Sequence, residues 1–248
     1  MLVILAALKQ EIAAIEKSLR GRKYGNQEQF PLCRGEYNGK EVMLVITGMG
    51  RGRAERAAQM VLQSNQVKLL VSLGFAGALN PGLAGGDIIL CSGIHCQDGN
   101  KTASSIPGSD NGIYRLLCRA LESESMNFRT GEVVSVMQPM QTAEERAVLR
   151  NKCNAEIVDM ESYWIASIAA QRQVPFLALR AVSDTMEDSF PPIEQIVDIE
   201  GNLLPGKAAV HFLSHPWHLT MLYGLYRNSV KAGKNLNEVI KRLVTIYE

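Results

Sequence analysis

The sequence predicts a three-layer α/β/α fold, in which helices cover both faces of a central mixed, largely parallel twisted sheet. Short apolar runs rich in Val, Ile and Leu alternate with segments of helical periodicity over most of the chain. Runs of this length suit strands buried on both faces, and their alternation with helices is typical of parallel sheets. The 248 residues are 46% hydrophobic, which is enough to bury one sizeable core.

The individual elements follow from local patterns. An apolar run predicts a strand at Leu2–Ala7, and apolar residues at helical spacing predict a helix at Lys9–Leu19. Asn38-Gly39 predicts a type I′ turn between strands at Arg34–Tyr37 and Glu41–Ile46. Further strands are expected at Val67–Leu73, Asp87–Cys91, Glu132–Met137 and Phe176–Val182, and further helices at Ala54–Leu62, Gly112–Ser123, Thr142–Asn151 and Ser162–Arg172.

The remaining segments are expected to complete one domain. Ser92–Asn111 is polar and contains Gly and Pro, so it predicts a loop near a site. Pro191–Pro205 predicts an insertion or a lid, and the tail from Lys207 is helical. No linker, repeat or low-complexity tract interrupts residues 1–248, so we expect a single domain in which residues 191–248 form a helical C-terminal extension.

Composition excludes several classes of protein. The net charge is +1 with both signs mixed along the chain, whereas a nucleic-acid binder needs a basic surface to meet phosphates. No apolar run approaches the ~20 residues of a membrane span. Five cysteines without tight spacing, and no signal peptide before them, predict reduced thiols in a cytoplasmic protein.

Two patterns that suggest other sites are set aside. Residues 48–53 contain three glycines, but the third comes one residue too early for a dinucleotide fingerprint. Such a turn can still present backbone N–H groups to an anion. Three histidines lie close together in the tail, at His211, His215 and His218. Pro216 disrupts the helix that would align them, and their spacing fits no zinc motif, so neither a metal nor a cofactor is expected.

Three carboxylates stand where apolar segments end. Glu11 follows the first strand by one helical turn, Glu161 precedes a helix, and Asp184 follows the last predicted strand. Ligands of open α/β sheets bind outside the carboxyl ends of the strands, so these acids can meet at one pocket. Each also has a structural explanation, since Glu11 suits the positive end of a helix dipole and the other two suit caps.

Five motifs occur in the order and spacing of one protein family. They are Ala6-Ala7-Leu8-Lys9-Gln10-Glu11, Ser72-Leu73-Gly74-Phe75-Ala76-Gly77-Ala78-Leu79, Gly85-Gly86-Asp87-Ile88-Ile89, Val158-Asp159-Met160-Glu161-Ser162 and Arg180-Ala181-Val182-Ser183-Asp184. With them, the chain resembles the 5′-methylthioadenosine/S-adenosylhomocysteine nucleosidase branch of the nucleoside phosphorylases. The Val-Asp-Met-Glu-Ser variant and short tail motifs most resemble the hopanoid-associated phosphorylase (adenosylhopane nucleosidase) subgroup.

The resemblance implies an enzyme that breaks the N-glycosidic bond of a purine nucleoside, and a homodimer. Asp184 would donate a proton to purine N7, with Ser183 to orient it. Glu11 would accept a proton from the attacking water. Glu161 would bind the ribose hydroxyls and favour the developing cation, and Met160 would pack against the sugar.

The base would lie against backbone in this family. Ala76-Gly77 would flank the purine, and the Pro139-Met140 segment would offer main-chain groups to its edge. Phe75 stands where nucleosidases usually have a small hydroxyl residue, and it narrows the pocket floor. Pro139 stands where an aromatic ring often stacks on adenine. These departures, and an unusual Ser92–Asn111 segment, point away from the methylthio substrate and leave adenosylhopane, with adenine released, as the substrate of the subgroup.

The nucleophile is open between water and phosphate. Residues 7–11 replace the Gly-Asp-Pro-x-Arg-like phosphate loop of the phosphorylases with a sequence that ends in Glu11. A carboxylate there repels phosphate and can activate water, which favours hydrolysis. If phosphate is instead the co-substrate, Gly50 and Arg51 are the candidate phosphate-binding residues.

The tail and the activity each leave alternatives. Apolar tail residues would receive a lipid or touch a membrane surface, or would pack on the core or at a dimer interface, as apolar stripes usually do. They are Trp217, Leu219, Met221, Leu222, Leu225 and Tyr226. Phe75 and Pro139 also suggest a non-catalytic purine-binding module, although retention of all three acids favours an enzyme. A structural interaction protein would bind no purine.

Overall fold

The computed structural model describes residues 1–98, 101–107, 112–188, 204, 214–215 and 218–247. Its strands are β1 (Leu2–Ala6), β2 (Arg20–Gln27), β3 (Phe30–Tyr37), β4 (Lys40–Ile46), β5 (Leu69–Ala78), β6 (Ile88–Asp98), β7 (Lys101–Pro107), β8 (Arg129–Val136), β9 (Ile157–Asp159) and β10 (Phe176–Asp184). Its helices are α1 (Lys9–Ser18), α2 (Arg51–Ser64), α3 (Gly112–Ser123), α4 (Ala143–Lys152), α5 (Ser162–Gln171) and α6 (His218–Ile246).

One mixed sheet joins all these strands, in the order β10-β6-β8-β9-β5-β1-β4-β3-β2, with β7 paired to β6. β10 also pairs with β5, so β5, β10, β6, β8 and β9 form a closed ring of pairings. β1 pairs in parallel with β4 on one side and with β5 on the other, as expected for a strand that is apolar throughout. The predicted fold class is therefore confirmed.

Helices cover both faces of the sheet because successive strand residues point to opposite sides. Val3 and Leu5 of β1 join one apolar cluster with α2 and α5. Leu2 and Ile4 join a second cluster with α1, α3 and α6. These two clusters form the inner surfaces of the three layers.

The hairpin prediction is confirmed in detail. Tyr37 pairs with Lys40 across the turn, and both turn residues, Asn38 (φ 50) and Gly39 (φ 76), have positive φ. Such angles define the type I′ turn that Asn-Gly sequences favour.

Several strands were missed or predicted with incomplete bounds. β2 was not predicted, because its sequence is polar and mostly exposed and forms the outer strand of the sheet. A loop was expected over Ser92–Asn111, but its described residues, 92–98 and 101–107, are instead the second half of β6 and all of β7. Pairing between these strands and with β8 overrides the local Gly and polar signals there. β5 was expected to stop at Gly74 but continues to Ala78.

The long helix α6 is held against the turn before β6. Lys231 Nζ donates to the carbonyl of Gly85 and Asn235 Nδ2 to that of Gly86, both at 2.8 Å. A Cβ at Gly85 or Gly86 would collide with α6 side chains, which accounts for the Gly-Gly sequence. The segment Pro191–Pro205, apart from residue 204, lies outside the described residues. Within the part of the chain that is described, no helix is long and apolar enough to cross a membrane.

Candidate active site

The segment Gly74–Gly77 of β5 is the point around which two of the predicted acids gather. Glu11, in the first turn of α1, accepts hydrogen bonds of 2.8 Å from the backbone N–H groups of Leu8 and Phe75. A Cβ at Gly74 would lie 2.8 Å from Oε1 of Glu11. Glycine at this position therefore lets the carboxylate reach the strand backbone.

Burial controls the charge of Glu11. Its side chain is only 4% exposed, and this burial raises its pKa to about 6, against the opposing effect of the two backbone hydrogen bonds. A carboxylate with this pKa is largely ionised at neutral pH and is still a stronger base than an ordinary glutamate. Glu11 is therefore suited to accept a proton.

Glu161 lies at the N-cap of α5 and contacts a second turn. Its Oε1 accepts a 2.7 Å hydrogen bond from the backbone N–H of Gly50. Burial and, next, the negative charge of Asp159 raise the pKa of Glu161 to about 8, and the charge of Glu11 acts in the same direction. The charge of Glu11 therefore acts on Glu161.

Asp184 ends β10, directly opposite Gly77 of β5. A Cβ at Gly77 would lie 2.7 Å from Oδ2 of Asp184, so this glycine, like Gly74, makes room for an acid. The hydroxyl of Ser183 donates to Oδ1, and Nη2 of Arg146 lies 2.5 Å from Oδ2. Glu11 and Asp184 thus both reach the same four residues of β5, whereas Glu161 is held at the Gly50 turn.

Arg180 of β10 and Asp159 of β9 form a buried ion pair. Nε of Arg180 donates to Oδ2 of Asp159 at 2.8 Å, and both side chains are at most 2% exposed. Arg180 also donates to the carbonyl and hydroxyl of Ser72, and Ser135 donates to Asp159. The positive charge of Arg180 partly offsets the effect of burial on Glu11 and Glu161.

Sequence reasoning missed Arg146, Asp159 and Arg180 as site residues. Arg180 stands in a strand that is otherwise apolar, and a buried guanidinium requires a carboxylate partner. That rule would have singled out Arg180 and pointed to a buried acid elsewhere in the motifs. Arg146 offered no such signal, because arginines are common on the solvent-exposed face of a predicted surface helix such as α4.

The remaining predicted binding residues have defined places. The carbonyl of Ala76 accepts a 3.3 Å hydrogen bond from Ser183. Met140 and Met160 both pack against a small cluster that α4 covers. The ring of Phe75 packs into the cluster with α1 and α6, while its N–H contacts Glu11.

The two candidate phosphate-binding residues already have partners. The N–H of Gly50 is bonded to Glu161. Nε of Arg51 pairs with Glu55 at 3.0 Å, and its guanidinium lies 4.3 Å from the ring centre of Trp164. His211, one of the three tail histidines, lies outside the described residues, and the described ones contain no cluster of three potential metal ligands.

Comparison with known proteins places this site in context. Residues 1–200 match the family profile described as the phosphorylase superfamily. A 5′-methylthioadenosine/S-adenosylhomocysteine nucleosidase of Staphylococcus haemolyticus is 27% identical over 196 residues, which cover 74% of this chain and 86% of that protein. The one of Staphylococcus epidermidis is 28% identical over 196 residues, with the same coverage.

Solved structures show the same fold. The nucleosidase of that name from Neisseria meningitidis, in complex with methylthio-immucillin-A, matches with a TM-score of 0.77 and 21% identity over 98% of this chain and 97% of the other. Futalosine hydrolase of Helicobacter pylori matches with a TM-score of 0.78 and 17% identity, over 98% and 97% of the two chains.

Proposed function

Because the chain belongs to the phosphorylase superfamily, we propose that it is a purine nucleosidase, which hydrolyses the N-glycosidic bond of an adenine nucleoside. The observation that carries this proposal is that Glu11 and Asp184 both reach the Gly74–Gly77 segment of β5, while Glu161 lies near enough for the charge of Glu11 to act on it. Relatives named as nucleosidases support the same reaction class.

Glu11 and Glu161 act on the sugar of the nucleoside. The bond breaks through an oxocarbenium-like sugar, which needs negative charge nearby and a nucleophile at C1′. Glu161 binds the ribose hydroxyls beside the developing cation, with Met160 against the sugar. Glu11 takes a proton from the attacking water, a role for which its pKa of about 6 is suited.

Asp184 acts on the purine of the nucleoside. As the electron pair of the broken bond passes to the purine, Asp184 gives a proton to N7, and Ser183 fixes the orientation of its carboxyl group. The backbone of Ala76-Gly77 flanks the purine, and main-chain groups near Met140 meet its edge. Purine departure is thus assisted without a metal or cofactor, so dialysis against EDTA should leave the rate unchanged.

Water is the better nucleophile for this site. A phosphate at the Gly50 turn would compete with Glu161 for the same N–H group, and Arg51 is engaged with Glu55. Together with repulsion from Glu11, these contacts favour hydrolysis over phosphorolysis.

The experiment is a purine-release assay on purified protein, with and without phosphate. The panel contains adenosylhopane, methylthioadenosine, adenosylhomocysteine, inosine and futalosine. Adenine release without phosphate is expected, with the free 5′-substituted ribose as the second product. Release that requires phosphate would make the chain a phosphorylase, and tight adenine binding with no release from any substrate would make it a purine-binding module.

For the 5′ substituent we propose the hopanoid group, and with it a peripheral contact between α6 and an anionic membrane. On α6, Tyr223, Tyr226 and Val230 share one face and are 68%, 66% and 56% exposed. Cationic residues flank them, and no acid occurs between residues 223 and 237; the cations are Arg227, Lys231 and Lys234. An exposed aromatic face with flanking cations suits an anionic bilayer surface. Trp217, also in the predicted apolar stripe, lies outside the described residues.

Vesicle sedimentation tests this contact. Binding to phosphatidylglycerol vesicles, little binding to phosphatidylcholine vesicles, and loss of binding in a Tyr226→Ser/Val230→Ser variant are expected. A variant that changes dimer mass in light scattering instead would assign the face to a second copy.

We further propose a homodimer in the cytoplasm. The dimer rests on the family resemblance, and light scattering of the purified protein tests it. The location is supported by the five cysteines, all of which are free thiols, as expected in a reducing compartment. Cell fractionation tests the location.

A further inference from the structure

Arg146 is a buried arginine of α4 that contacts Asp184 at the base end of the site. Its side chain is 2% exposed, and its Nη2 lies 2.5 Å from Oδ2 of Asp184. Nη1 donates to the carbonyl of Thr185 at 2.7 Å, and Nη2 donates to that of Met140 at 3.3 Å. One guanidinium therefore joins the end of β10 to the segment that precedes α4.

Apolar packing alone does not explain an arginine at this position. The neighbouring cluster under α4 is apolar, and an uncharged side chain of similar length would fill the space without the penalty of burying a charge. The strand opposite is also adapted to the pair. A Cβ at Gly77 would lie 2.7 Å from Oδ2 of Asp184 and 3.3 Å from Nη1 of Arg146.

The contacts of Asp184 match the state that follows proton transfer. Oδ1 faces the hydroxyl of Ser183, and Oδ2 faces Arg146. Two donors, one of them charged, complement a carboxylate that has lost its proton rather than a neutral acid that still holds one. Interactions that strengthen as the transition state forms are those that accelerate a reaction.

We propose that Arg146 is a positioning residue that stabilises the negative charge developing on Asp184 as its proton moves to purine N7. This inference rests on the proposed hydrolysis. In that step the proton of Asp184 bonds to N7, and the C1′–N9 bond breaks with its electron pair passing to the purine. The water oxygen bonds to C1′, and its proton goes to Glu11. Charge therefore appears on Asp184 as the purine leaves, beside a guanidinium already in place.

Two substrates separate this role from support of the fold. An adenine nucleoside needs a proton at N7, whereas p-nitrophenyl β-D-ribofuranoside loses a stable phenolate without one but uses the same sugar-end glutamates. In Arg146→Met, kcat on the adenine nucleoside should fall by about 100-fold with little change in KM, while kcat on the nitrophenyl riboside stays within about threefold of wild type.

A matched control lies one helical turn along α4. Arg150 donates to the carbonyl of Leu79 at 3.1 Å and contacts no carboxylate among the described residues, so Arg150→Met should leave both rates near wild type. In an Asp184→Asn background, Arg146→Met should cause no further loss on the adenine nucleoside, because the two residues act in one step.

Equal losses on the two substrates, or additive losses in the double variant, would overturn the role of Arg146. A wild-type protein that cleaves neither substrate would instead refute the proposed function, so the two failures are distinguishable.

Discussion

The backbone N–H of Gly50 donates a 2.7 Å hydrogen bond to Oε1 of Glu161. Gly50 is the N-cap of α2, and the N-terminus of a helix attracts anions through its unpaired N–H groups and dipole. Here a carboxylate of the same chain occupies that position. The Gly50 turn, which would hold phosphate in a phosphorylase, therefore helps to position Glu161, which is proposed to bind the ribose.

Replacement of Gly50 should test this link. Gly50 has a φ of 88°, which strains any other residue, so Gly50→Ala should rotate the N–H away from Glu161. We expect kcat/KM for the nucleoside to fall by about 10-fold, mainly through KM, as the hydrogen bond that positions Glu161 is lost. Gly52→Ala is the control, because a Cβ there meets nothing within 4 Å and Gly52 has no positive φ. Similar kinetics for the two variants would argue against the link.

Substitution of the two proton-transfer groups should be severe. Glu11→Gln and Asp184→Asn preserve shape but remove the base and the acid, so each should lower kcat by at least ~100-fold. Glu16→Gln, on another face of α1, is the control and should retain activity. Steady-state kinetics of purine release measures all three. Wild-type rates in both Glu11→Gln and Asp184→Asn would contradict the assigned roles.

Activity should depend on pH through Glu11. A general base must be ionised, and the pKa of Glu11 is raised to about 6 by burial, so kcat/KM should rise with pH up to about 6 and then level off. Assays between about pH 5 and 7.5 would reveal this limb. The residual activity of Glu11→Gln should lack it, and a limb that persists in that variant would assign the titration to another group.

The sequence predicted what depends on local pattern. The β1–α1 unit, the Asn38-Gly39 hairpin and the acid at Glu11 follow from apolar runs, turn chemistry and position at a strand end. β2 and β7 could not be found in this way, because their polar residues form strands only through pairing with neighbours.

The sequence singled out the acids of the site but not the arginine that contacts Asp184 or the role of the glycines that make room for the acids. The sequence predicts that a strand ends at Gly74 and that Gly77 flanks the purine, yet both glycines continue β5 and leave room for the side chains of Glu11 and Asp184. Arg146 is 38 residues before Asp184 in the chain, and only the packing of α4 against the end of β10 brings them together. Such partners become visible only when the fold is known.

Ionisation of the buried Glu161 should lower the free energy of unfolding of the protein. Its pKa is raised by burial from 4.5 to about 8, so the folded state disfavours the ionised form. Below about pH 4.5 the group is neutral in both the folded and unfolded states, and the penalty is absent. Between about 4.5 and 8 the unfolded state ionises first, so stability falls as pH rises, and above about 8 the penalty is complete.

Glu161→Gln removes this penalty and keeps an oxygen that can accept the hydrogen bond of Gly50. Relative to wild type, its Tm should be unchanged near pH 4.5 and higher by about 5 °C or more near pH 9, although sugar binding is impaired. Glu144 is exposed on α4, so Glu144→Gln is the control and should show no such trend. Calorimetry at several pH values measures the difference. A Tm gain that is the same at both ends of the range would mean that Glu161 strains the fold by its shape rather than by its charge.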